Sequence, residues 1–379
     1  MALVFAAGAA AAAKPVPPRF VGMVVDLPTW PDPYVDLPQQ LDAMVSSGVE
    51  SVRVVLDWSR AQPHRSWSQV PSAERGRFVS AGGVPTDFTR FDALVGAAAQ
   101  RGLTLLPVIQ NAPAWDARYF RGGYVAVPRS PGPYAAFLRA LVERYGSRGT
   151  FWKANPMLPR VPIAMWQIWN EPNVHAFWPP QPYYARYVSL LRAAHAAVKA
   201  ADTSAKVVLA GLPNYSWIEL ARLDRHGAGK LFDIAAVHPY TRTPQGVITI
   251  LGYARRELNA TGAAGKPILA DEISWPSSLG RTSHNENDFA TTEAGQARNI
   301  AQAMRLLAAN RARLHLAGFY YYNWASYDQP NVSAFDFSGL FQFHSGEFRA
   351  KPAYDAFRTS ALALEGCRAK AGTASDCEH

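Results

Sequence analysis

The chain has 379 residues, 49% hydrophobic and 18% charged, the balance of an ordinary globular protein with enough length to fill one large barrel. Its formal charge of +9 comes from scattered arginines such as Arg186, Arg192, Arg255 and Arg305 rather than a basic block, so no nucleic-acid partner is expected. No run of about 18 apolar residues and no metal-spaced His/Cys cluster occurs, so neither a membrane span nor a metal or other cofactor is expected.

In chain order, residues 1–19 begin with the apolar run Met1 to Ala13, which has the character of a secretory signal without its basic leader. We read it as a truncated signal, which points to a secreted or extracellular protein. Short apolar runs then alternate with helical patterns, the signature of parallel strand–helix units. Strands are expected at 20–25, 52–56, 103–109, 164–168, 206–210, 234–237, 267–270 and 318–322. Helices are expected at 37–47, 91–100, 134–145, 183–201, 245–258, 292–309 and 352–364. In the clearest helix, Tyr184, Tyr187, Val188, Leu191, His195 and Val198 share one face, which makes His195 a packed residue rather than a ligand. Eight such units without a Gly-rich turn after the first strand predict an α/β fold, a single (β/α)8 TIM barrel with long βα loops over residues 20–364. The long connections 58–89 and 273–291 are expected to wall the site. Residues 365–379 form a tail in which Cys367 and Cys377 are close enough for a disulfide clip, with two inert thiols as the alternative.

In such barrels functional groups gather at the C-terminal ends of strands. Strand one ends at Asp26 with Trp30 beyond it, and strand two carries Arg53 and ends at Asp57. Strand three delivers Gln110, Asn111 and Trp115; strand four, Asn170 and Glu171 with Trp178 following. His238 and Tyr240 follow strand six, Glu272 and Trp275 strand seven, and Asn323 and Trp324 strand eight. Two carboxylates from different strands are what glycosidic cleavage requires, and aromatic faces with Asn, His and Arg donors suit a sugar. Plainer readings stand beside these. Glu171 could serve a helix N-terminus, and Asp271 replaces Glu272 as the cleft-facing acid if the strand register slips by one. Arg53 could form a structural ion pair, His238 could be a satisfied core residue, and the tryptophans could pack loops.

The run Trp169-Asn170-Glu171-Pro172, with His238-Pro239-Tyr240, Glu272 and Trp324 after it, resembles the clan A glycoside hydrolases, retaining enzymes on (β/α)8 barrels. Within the clan it looks most like glycoside hydrolase family 39 and its bacterial relatives. That narrower likeness rests on residues 168–173 with Phe177-Trp178, on 183–199 leading to 207–211, and on Gly339-Leu340-Phe341 with Lys351-Pro352-Ala353-Tyr354. It covers roughly residues 20–360, and Ser274 stands where the family usually has glycine. The resemblance implies that Glu171 is the general acid/base and Glu272 the nucleophile. It implies that Asn170 binds the sugar 2-hydroxyl, Tyr240 contacts the nucleophile and Arg53 keeps it ionised, while His238 lies near the acid/base. Trp324 would floor the sugar. From their places at the strand ends, Asn111 could add a hydrogen bond and Trp30, Trp115, Trp178, Trp275 and Tyr327 could stack on neighbouring units. The expected partner is therefore an oligosaccharide or polysaccharide, cleaved at β-linkages with a lean towards endo action. A transglycosylase and a non-catalytic carbohydrate-binding barrel remain alternatives, and the oligomeric state is open.

Overall fold

Eight parallel strands alternate with eight helices: β1 (Val21–Val25), α1 (Leu37–Ser46), β2 (Ser51–Asp57), α2 (Thr89–Gln100), β3 (Thr104–Gln110), α3 (Pro131–Tyr145), β4 (Met165–Ile168), α4 (Tyr184–Ala201), β5 (Lys206–Val208), α5 (Ser216–Arg225), β6 (Ala235–His238), α6 (Pro244–Ala260), β7 (Ile268–Ile273), α7 (Glu293–Leu314), β8 (Leu316–Tyr321) and α8 (Pro352–Glu365). This computed structural model describes residues 16–118, 125–213, 215–282, 289–330 and 333–379. The apolar run at the N terminus and the middle of the 273–291 connection lie outside the described residues.

The sheet closes on itself. Its strands are ordered as in the chain, with β5 at one edge and the short continuation Leu212–Pro213 at the other. Both edges belong to the same stretch of backbone, and a parallel bridge between Val208 and Ile234 joins β5 to the approach of β6. Because the strands are covered on both faces, they read as apolar runs; every residue of Thr104–Gln110 is buried. Inside the barrel Val24, Leu106, Val208, Ala236, Leu269 and Tyr320 pack together, the filled interior of this architecture. Gly22 makes room for them, since a Cβ there would come within 2.4 Å of the Tyr320 ring. Outside, helix faces such as Tyr187, Leu191 and Val198 of α4 cover the strands.

Local chemistry sets the helix ends. Asp36 accepts from the backbone N–H of Gln39 at 3.1 Å to open α1, and Thr243 and Thr292 cap α6 and α7 in the same way. α7 runs past the expected 309 to Leu314, where His315 takes a left-handed φ of 49°. α5 was not anticipated, because its buried side rests mainly on Leu220 and Leu223, too few apolar positions to show a period. The tail bends back as a small antiparallel pair, Ala369–Lys370 with Cys377–Glu378, and Cys367 is bonded to Cys377.

Candidate active site

The turn after β4 presents the first acid. Trp169 and Glu171 both adopt left-handed φ angles, 73° and 42°, unusual for large residues and typical of a functional turn held from outside. The Trp169 amide donates to Ile109 O and its indole to Phe177 O, while the Glu171 amide donates to Gly211 O. Gly211 also gives His238 its place, because a Cβ there would lie 1.9 Å from the imidazole Nε2.

The second acid depends on an irregularity. β7 shifts register against β8 between Ala270 and Ile273, so the consecutive residues Asp271 and Glu272 both turn towards the barrel axis instead of alternating. Glu272 faces the cleft. Asp271 is fully buried beneath it, accepting from Gln167 Nε2 at 2.6 Å with His238 Nε2 at 3.3 Å. The register question posed by the two adjacent acids is thus answered by a bulge that uses both.

Arg53, on the inward face of β2 and almost wholly buried, ties the cluster together. Its Nη1 donates to Glu272 Oε1 at 2.6 Å, its Nη2 to Asn170 Oδ1 at 2.8 Å and its Nε to Gln167 Oε1 at 2.8 Å, with Asp271 Oδ2 3.3 Å away. Tyr240 donates its hydroxyl to the other oxygen of Glu272 at 2.6 Å. His238 Nδ1 lies 2.7 Å from Glu171 Oε1 and 3.5 Å from Glu272 Oε2.

Burial lifts the Glu171 carboxyl above its ordinary value, although His238 pulls the other way. Burial would depress His238, but Glu272 and Asp271 outweigh it and push the imidazole up to about 10. Burial likewise opposes ionisation of Asp271, yet His238 and Arg53 hold its carboxyl below the usual range. Arg53 and His238 thus set two positive charges against Asp271 and Glu272, and the buried set is neutral when Glu171 keeps its proton. Carboxylate oxygens of Glu171 and Glu272 and a ring nitrogen of His238 all lie within 4.8 Å of one another. That spacing would suit a cation, but the two protein cations already meet these charges.

A cavity of about 480 Å³ opens over the cluster, bounded by Asp26, Arg53, Gln110, Asn170, Glu171, Tyr240 and Glu272, within the size range of small-molecule sites. Tyr322 and Phe335 add aromatic surface, and Val174, Ala176 and Phe177 come from the β4–α4 connection.

Among the expected sugar contacts that do not line this cavity are six residues: His238, fully buried against the two glutamates, and five others. Trp324 is fully buried against Phe341 and donates its indole N–H to Gln40, so it packs between barrel and helices rather than under a sugar. Trp178 is buried against Trp169 and Tyr187, and Trp275 is buried in the core. Trp115 packs edge-on against Trp58 and donates to Gln62 O. Asn111 spends its amide on Asp57, Ser59 and the Ala126 backbone. The reason is common to all five: strand pairing ends before them, so the two-residue alternation no longer says which way a side chain points. Tyr322 was missed, although alternation from the inward Tyr320 marks it. Gln167 was missed too, although a glutamine inside an otherwise apolar strand is a signal of an inward polar role. Phe335 had no such signal. The 58–89 connection lies to one side of this cavity, and the wall expected from it comes instead from the connection after β8, through Ser333 and Phe335.

No protein-family model matches the chain, and no curated protein is similar to it in sequence. Solved structures are similar in fold. A family 39 glycoside hydrolase from Bacteroides cellulosilyticus shares 19% identity over 92% of this chain, with a TM-score of 0.62. A β-xylosidase from Caulobacter crescentus shares 19% over 91%, with a TM-score of 0.61, and the match covers 68% of that chain. The fold is that of a glycoside hydrolase barrel. A family 53 catalytic domain from Ignisphaera aggregans matches as well, at 20% identity and a TM-score of 0.55 over 92% of this chain and 98% of its own, so the likeness spans families 39 and 53. The barrel covers 64% of the length of the Bacteroides enzyme.

Proposed function

We propose that this barrel is a retaining glycoside hydrolase acting on β-linked sugars through a covalent glycosyl-enzyme. The carrying observation is the approach of Glu171 and Glu272 oxygens to within 4.8 Å across the barrel mouth. Retaining enzymes place their carboxyls about 5–5.5 Å apart and inverting ones about 6.5–9.5 Å, leaving room for water. Kinship in fold with a barrel described as a β-xylosidase supports the β-linkage.

The roles follow from the contacts. Glu171, whose hold on its proton burial strengthens, gives that proton to the leaving glycosidic oxygen while Glu272 forms a bond to the anomeric carbon. Arg53 and Tyr240 each hold one Glu272 oxygen, fixing the attacking geometry. Asn170 spends its carbonyl on Arg53, which leaves its N–H donors for a sugar hydroxyl. Bond formation removes the charge of Glu272, so the proton affinity of Glu171 falls. The Glu171 carboxylate, accepting from His238, then takes a proton from the water that cleaves the intermediate and restores Glu272. The Cys367–Cys377 bridge supports work outside a reducing cytosol.

The test is turnover of aryl β-glycosides by Glu171→Ala and Glu272→Ala in the presence of azide. α-Glycosyl azide from Glu272→Ala and β-glycosyl azide from Glu171→Ala are the expected products. Wild-type rates retained by either variant would refute the assignment.

A further inference from the structure

The catalytic cavity has a neighbour on its own face of the barrel. A second cavity, of about 390 Å³, is lined by Trp30, Val55, Asp57, Arg60, Arg77, Asp87, Arg90 and Phe91. β2 connects the two. Alternate residues of a strand share a face, and on this one Arg53 reaches Glu272, Val55 borders both cavities and Asp57 borders only the second. The path from Arg53 to Asp57 is about 13 Å at the usual rise of a parallel strand, a span that a short oligosaccharide covers. A glycan held at Glu272 can therefore continue along β2 without leaving the protein surface.

The lining is specific in two ways. Trp30 is nearly buried, and its indole N–H donates to Val55 O at 3.3 Å, which fixes the ring as a wall beside Val55. One of the charged groups has no counter-ion at hand. Arg60 is met by Asp57 at 3.6 Å, and Arg77 by Asp87 at 3.4 Å and Glu74 at 3.3 Å. Arg90 has no carboxylate partner among the described residues; its Nη1 reaches only Pro31 O, at 3.3 Å. Asp57, Asp87 and Glu74 thus answer Arg60 and Arg77, and Arg90 is the lining guanidinium left for an outside anion.

We infer that this second cavity is a sugar subsite for an anionic residue of the glycan, one carrying a carboxylate or a sulfate, whose charge meets Arg90 while its C–H face rests on Trp30. The inference builds on the reading of the first cavity as a glycosidase cleft. It also supplies what Trp115, Trp178 and Trp275, packed away from the first cavity, do not: a second place for the substrate to rest. A guanidinium suits either anion, since its planar fork donates two parallel hydrogen bonds.

The experiment is calorimetric binding to the Glu171→Gln protein, which slows turnover of unactivated glycans. Three β-linked oligosaccharides of equal length serve as ligands: a neutral one, one bearing a uronic acid and one bearing a sulfate. At least one anionic ligand is expected to bind about tenfold more tightly than the neutral one at low salt, the scale of a charge-assisted hydrogen bond. Which of the two prevails identifies the anion. That preference should shrink in high salt and vanish in Arg90→Gln, an exposed position whose replacement leaves the fold intact. Thr89→Trp, which fills the cavity from its rim, should weaken the oligosaccharides that reach it. Equal binding of all three ligands, or a preference that survives Arg90→Gln, overturns the inference. The two readings fail separately. Azide rescue without anion preference removes the subsite alone, whereas anion preference in a protein without turnover removes the catalytic reading alone.

Discussion

A buried imidazolium makes protein stability depend on pH in a way that can be calculated. His238 is fully buried, and its carboxylate neighbours raise it from an ordinary 6.5 to about 10. A basic group whose folded pKa is raised contributes stability that is complete below its unfolded pKa and is lost as pH climbs to the folded one. Between pH 6.5 and 9 the folded protein keeps this proton while the unfolded chain has released it. Each pH unit in that window costs about 1.4 kcal/mol, so stability attributable to His238 should fall by about 3 kcal/mol. Burial already raises the Glu171 carboxyl and His238 opposes that rise, so removing His238 also changes Glu171, and the comparison belongs in the Glu171→Gln background. Denaturant unfolding of Glu171→Gln and Glu171→Gln/His238→Gln, from pH 6 to 9, should give curves that converge with rising pH at that slope. Parallel curves would show that His238 is neutral in the fold, and the charge balance drawn for the cluster would be wrong.

Other outcomes follow from the same contacts. Glu171→Gln should lower kcat on substrates with poor leaving groups by about 10²–10⁴-fold, the reach of general acid catalysis, and far less on activated aryl glycosides; equal losses on both would argue against the acid role. Arg53→Met leaves Asp271 and Glu272 without their guanidinium and should cost about 3–5 kcal/mol in chemical denaturation. Arg53→Lys should recover only part of it, because a point charge cannot serve Glu272, Gln167 and Asn170 together. Tyr322→Ala should raise KM with little change in Tm, whereas Trp324→Ala should cost about 3–5 kcal/mol of stability through the cavity it leaves. The reverse pattern would return Trp324 to the cleft.

The amino-acid sequence determined the barrel, because strands buried on both faces must be apolar along their length and the helices covering them must carry a periodic stripe. It also placed Asn170, Glu171, His238, Tyr240 and Glu272 at one end, since position at a strand's C-terminal end is a property of chain order alone, whereas Arg53 lies inside β2 and reaches that end through its long side chain. Tertiary structure decided what lies beyond the ladder. Asp271 and Glu272 both turn inward only because β7 slips against β8, a consequence of two strands meeting rather than of either one. Trp178 and Trp275 were expected as sugar platforms from their places after strand ends and Trp324 from the family resemblance, but a large apolar ring sinks into whatever dry space the neighbouring loops and helices leave. The links from Gln167 and Asp271 to Arg53 and His238 join β2, β4, β6 and β7. Contacts so distant along the chain have no local signature, because they exist only once closure of the barrel has brought those strands around a common axis.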